Sequence, residues 1–244
     1  MKLFDDLIAQ TLALLEPCAP VRFPFAPERA AGEGEPNELI LRRETAFELG
    51  EGSYPAVSFT AVTQDETLVR EDGTCLCGPD LHEIKGDCAF ARITLLRTDD
   101  IFKRGDQAAF ALIKSMEVKK FEVWPWGYMM RPSALTNREQ VRVSQKAVKD
   151  GLRFEHVGNL LIQKYRENPH VLAAAVLFVT LPSAPYRALD ALADRAAALT
   201  GTLNHALADA SMNCRACEWK SVCDVVDGMK ELHQKQMNKG RNLP

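Results

Sequence analysis

The sequence predicts an α+β protein: a mixed sheet packed with helices, followed by a cysteine-rich metal loop near the C-terminus. Three observations carry this. Between residues 37 and 97, short runs of Val, Ile, Leu, Thr and Phe are broken at Gly52, Gly73, Gly78-Pro79 and Gly86, the pattern of strands joined by turns. Further on, apolar residues recur at helical spacing in several segments. Finally, three cysteines fall within ten residues, from Cys214 to Cys223.

The 244 residues suffice for a sizeable core and divide into three stretches: 1–36 (a helix and linker), 37–208 (the α+β body) and 209–244 (the cysteine-rich loop and a last helix). A hydrophobic fraction of 46% and a charged fraction of 26% are ordinary for a globular protein. With a formal net charge of -3 the chain advertises no polyanion-binding surface, so nucleic acid is not an expected partner. The first sixteen residues carry Asp5 and Asp6 and lack the pattern of a signal peptide. The longest apolar run, 171–181, is too short to span a bilayer, so no membrane is expected and the reading is cytoplasmic. The seven cysteines are an odd number grouped as 75/77/88 and 214/217/223, with Cys18 alone, which suits metal ligation in a reducing compartment better than a disulfide framework.

In chain order, Leu3, Leu7, Leu14 and Leu15 define an amphipathic first helix ended by Pro17. Residues 19–36, rich in proline and glycine, read as a loop. Strands are expected at 38–42, 56–62, 74–77 and 89–96, in a mostly antiparallel arrangement. Helices are expected over 107–120, 144–150 (capped by Ser144 and closed by Gly151), 154–167 and 183–208. A strand is expected at 140–143, and the apolar run at 171–181 reads as a central strand buried on both faces. The aromatic stretch around Trp124, Trp126 and Tyr128 reads as packed core or loop, and a final helix is expected over 224–236.

The chemistry lies in the cysteines. In Cys214-x2-Cys217-x5-Cys223 the first pair converges two thiolates on one centre and the third closes over it. No fourth ligand falls inside the loop, so it comes from a distant segment or the position stays open. Distant candidates are Cys75, Cys77, Cys88 and Cys18; Cys75 and Cys77, two apart on a strand, point to one face and read either as a chelating pair or as core residues. A three-plus-one arrangement favours a 4Fe–4S cluster over zinc, since structural zinc more often uses two compact Cys-x2-Cys knuckles. Trp219 stands within the loop, where it could shield a cluster from water without ligating. There is no Gly-rich phosphate loop, Gly-x-Ser-x-Gly elbow or His-Glu-x-x-His pair, so any catalysis would run through the metal.

The segment from Val141 to Lys164, with the run 171–180 after it, resembles the region preceding the active-site domain of acetyl-CoA synthase, the β subunit of the CO dehydrogenase/acetyl-CoA synthase complex. Gly78-Pro79-Asp80, the Gly86 turn and the helix around 112–116 fall in the same order, and the resemblance covers residues 37–223. It implies that Cys214, Cys217 and Cys223 take the places of the first three ligands of a 4Fe–4S cube. In that family the cube belongs to a nickel-containing cluster that joins a corrinoid-borne methyl group, CO and coenzyme A. It also implies a corrinoid or CO dehydrogenase-type redox partner. Here the gap to the third cysteine is shorter, the fourth cube ligand is missing and the Cys-Gly-Cys that holds nickel has no counterpart in place, which points to a short, divergent relative. The cysteine spacing is also similar to the iron–sulfur staple of RecB-like nucleases, without their acidic motif. The reading beside an enzyme subunit is therefore an accessory electron-transfer or structural protein stapled by a cluster or by zinc.

Overall fold

A computed structural model describes residues 2–36, 38–104, 106–132 and 137–208. Their centre is a five-stranded mixed sheet in the order β1-β4-β8-β5-β3, formed by β1 (Val21–Pro24), β3 (Ala56–Thr63), β4 (Gly73–Cys77), β5 (Phe90–Thr98) and β8 (Val171–Val179). A three-stranded antiparallel sheet, β2 (Thr45–Leu49), β7 (Glu139–Ser144) and β6 (Tyr128–Pro132), stands beside it. The helices are α1 (Asp5–Leu15), α2 (Asp106–Lys119), α3 (Gln145–Lys149), α4 (Phe154–Arg166) and α5 (Tyr186–Ala208). The mixed α+β architecture expected from the sequence is present, and none of the described helices is long and apolar enough to cross a membrane.

The apolar run at 171–179 does form the middle strand, with β4 parallel on one side and β5 antiparallel on the other. Two features differ from expectation. The large sheet contains two parallel pairs, β3 with β5 and β4 with β8, because the chain leaving β3 crosses beyond β8 to lay down β4 before returning to form β5. The proline-rich stretch 19–36 is not all loop: β1 pairs antiparallel with β4 at the sheet edge, where Pro24 can close the strand without interrupting an inner ladder.

Residues 38–42 are not a strand. Their alternation is real, with Ile40 buried between Leu39 at 71% and Leu41 at 45% exposure. Their backbone donors, however, go elsewhere: Ile40 N–H to Met129 Sδ and Leu41 N–H to Glu44 Oε2, which starts a 3-10 turn at Arg42–Glu44. The strand forms just after it, as β2. The first helix stops just before Pro17, as expected: α1 ends at Leu15, and a 3-10 turn over Glu16–Cys18 leads to Ala19 at φ 47°.

The pleat gives the large sheet two different faces. On one, Leu76, Phe90 and Phe178 meet α4, with the Phe154 and Phe178 ring centroids 4.6 Å apart. Gly158 lets α4 approach so closely that a Cβ there would collide with the Thr74 side chain. On the other face, α5 packs against β3 and α1, and Thr63 donates to Asp5 at the start of α1 at 2.7 Å. Gly78, at φ 116°, turns the chain out of β4 where any side chain would strike the Leu181 backbone.

Candidate functional site

Cys214, Cys217, Trp219 and Cys223, and the helix expected over 224–236, lie outside the described residues. Cys75 and Cys77 lie on β4, opposite Leu177 and Val179 of β8, so both point to the α1/α5 side of the sheet. Cys18, leaving α1, is close enough to Cys77 to affect its titration, and Tyr186 at the start of α5 senses Cys88, Cys18 and Cys77. The sheet register sets Cys75 and Cys77 on one face, and the turn after α1 and the segment before β5 bring Cys18 and Cys88 towards the N-terminal end of α5.

Burial is the main influence on Cys75, Cys77 and Cys88. It pushes Cys77 up to about 12, with Cys18 and Cys75 adding to the effect. Cys88 rises to about 11 through burial and the neighbouring Asp87. Burial also raises Cys75, partly opposed by Arg22. At neutral pH these are protonated, weakly nucleophilic groups. Among the described residues no three His, Cys, Asp or Glu side chains converge where they could hold a metal ion. Glu83 and Asp87 act as local acceptors: Glu83 accepts from Asp80 N–H at 2.7 Å and Asp87 from Glu48 N–H at 2.7 Å.

The opposite face holds an arrangement the sequence reading missed. Arg92 on β5, 1% exposed, donates through Nε to Glu139 Oε1 at 2.7 Å and through Nη2 to Glu139 Oε2, the bidentate geometry of a strong ion pair. Arg92 Nη1 donates to Thr94 Oγ1 at 3.0 Å. Lys120, 6% exposed in the 3-10 turn after α2, donates to Ser58 Oγ at 3.0 Å and lies 3.4 Å from Glu139 Oε2. Burial on its own would raise the Glu139 carboxyl, yet Arg92 and Lys120 outweigh it and hold the group at about 2. Lys120 is lowered, first by burial and then by the Arg92 cation, against the pull of Glu139. Tyr128 Oη and Tyr165 Oη are buried nearby with no hydrogen-bond partner among the described residues.

One signal could have found this cluster. Ser58 and Thr60 on β3 register with Arg92 and Thr94 on β5, so two neighbouring strands carry polar residues in the middle of the same face. Their partners, Lys120 and Glu139, come from segments far away in sequence, and only the fold brings them there. A cavity of about 480 Å³ opens beside the cluster at the outer edge of β3, lined by α2, the Lys120–Phe121 turn, Asn137, Arg138 and α5. No protein-family model matches this chain, and no curated protein is significantly similar to it.

Proposed function

We propose that the chain binds a 4Fe–4S cluster through Cys214, Cys217 and Cys223. On this reading it is a relative of the acetyl-CoA synthase β subunit working in one-carbon, corrinoid-linked chemistry with a corrinoid or CO dehydrogenase-type redox partner. The observation that carries the proposal is the Cys-x2-Cys-x5-Cys spacing, which assembles three thiolates on a short loop as cubane ligation needs. Trp219 shields the cluster from water. The collinear resemblance from residue 37 to 223 supplies the chemical setting.

Cys75 and Cys77 are the cysteines proposed to complete the cube. Two conditions attach to that role. The metal must displace a proton from a buried thiol, held at about 12 in Cys77. The chain after Ala208 must also run back along α5, whose 23 residues span about 35 Å from the Tyr186 end where the thiols lie.

The alternative is an accessory electron-transfer or structural protein, held by a cluster with four cysteine ligands or by zinc, with no open metal position. Iron and acid-labile sulfide analysis with electron paramagnetic resonance, on protein purified without oxygen, tests both. About four irons and four sulfides per chain support the cluster, and added nickel selects the enzymatic reading. Zinc alone, or no metal, overturns the proposal.

A further inference from the structure

The Arg92–Glu139 pair is electrically neutral, so Lys120 leaves the buried cluster with one positive charge in excess. Its contacts with Ser58 Oγ and Glu139 Oε2 use two of the three N–H groups of an ammonium, and the Phe121 ring centroid lies 5.1 Å from Nζ. A buried cation without full compensation is costly, and a cation in that condition on a cavity wall is a ready counter-ion for an anion entering from solvent.

Lys120, Ser58, Thr60 and Arg138 give the cavity at the β3 edge polar lining, Phe59, Phe110 and Phe121 give it aromatic surface, and α5 contributes mostly small residues that leave room. The other polar groups on the wall are engaged with protein partners: Lys114 with Glu117, Thr200 with Glu117, and Asn137 with Asp194. At about 480 Å³ the cavity has the size of a small-molecule site, and its lining joins aromatic surface to a few polar groups that could orient a ligand. Inorganic phosphate would leave the phenylalanine surface unused. A flat apolar body ending in a carboxylate uses both parts.

We propose that the cavity between β3, α2 and α5 binds a small aromatic carboxylate, its charge balanced by Lys120 and its ring against Phe59, Phe110 and Phe121. The site is independent of any cluster on the C-terminal loop. Lys120 also borders a second cavity of about 610 Å³ near Trp124 and Met129, which lacks Ser58 and Arg138. The β3-edge cavity is therefore assigned as the site.

Isothermal titration calorimetry of the full chain with benzoate, compared with benzamide and inorganic phosphate, tests the proposal. Benzoate should bind with one-to-one stoichiometry and both comparison probes about tenfold or more weakly. Lys120→Met, which removes a buried charge and leaves Arg92–Glu139 paired, should keep its far-ultraviolet spectrum and melting temperature while losing benzoate affinity about 30-fold or more. Ala197→Trp, placed on the exposed side of α5 where it lines the cavity, should block binding with Lys120 intact. Absence of benzoate binding, equal binding of benzamide, or undiminished binding by folded Lys120→Met or Ala197→Trp protein overturns the assignment.

Discussion

Replacing Glu139 by Gln removes the only carboxylate among the described residues that touches Arg92 or Lys120, while nearly preserving shape. The amide oxygen of the replacement could still accept one bond from Arg92 Nε, but two buried cations would face each other with no counter-charge. Two routes give the magnitude. A carboxyl held at about 2 against an ordinary 4.5 is stabilised in its charged form by about 3 kcal/mol. Removing one partner of a buried pair costs about 3–5 kcal/mol. The expected loss is thus about 3–4 kcal/mol, a fall of roughly 1 M or more in the urea midpoint followed by far-ultraviolet circular dichroism. The sign with pH follows from the depressed carboxyl: its contribution is present above about 4.5 and lost as pH falls towards 2. Lys120 works the other way, since its lowered value makes the charged form a cost that is relieved as pH rises towards 10.5. Adding Lys120→Met to Glu139→Gln should therefore recover about 1–2 kcal/mol by removing one orphaned cation. A Glu139→Gln protein within about 0.5 kcal/mol of the parent, or no recovery in the double variant, would refute the reasoning.

Gly158→Ala should destabilise by about 2–3 kcal/mol, because α4 must move off β4, and Thr74→Ala in the same chain should restore part of it; thermal melts of the two variants decide this. Cys77 should resist alkylation. At pH 8 a thiol held at about 12 carries about a thousandfold less thiolate than one at 9.0, so iodoacetamide labelling mapped by mass spectrometry should be that much slower in the folded chain than in urea. The same raised value stabilises the fold below about pH 9, a contribution that declines as pH climbs from 9 towards 12. For the cluster, Cys217→Ser should abolish iron loading and Cys18→Ser should leave it intact; normal iron content in the first variant would remove the C-terminal loop as the site.

Local pattern was sufficient for the elements with a long apolar run or a clear apolar face. The run 171–179 could only be an inner strand, α4 announced itself by an apolar face ending in Tyr165, and Gly151, at φ 95°, closes the turn where its sequence position placed it. The common face of Cys75 and Cys77 followed from the two-residue period of a strand. What surrounds that face did not. Whether a thiol on a strand is free to ionise depends on burial and neighbouring charge, and it is the fold that brings Cys18 near Cys77 and Cys88 near Tyr186. The same limit explains why residues 38–42, alternating like a strand, form none: a ladder needs a partner backbone, and there the donors are taken by Met129 and Glu44. Arg92, Lys120 and Glu139 are ordinary surface residue types taken singly. Only the tertiary structure, by stacking β5 beside β3 and carrying β7 and the end of α2 over them, removes these charges from water and makes them depend on one another.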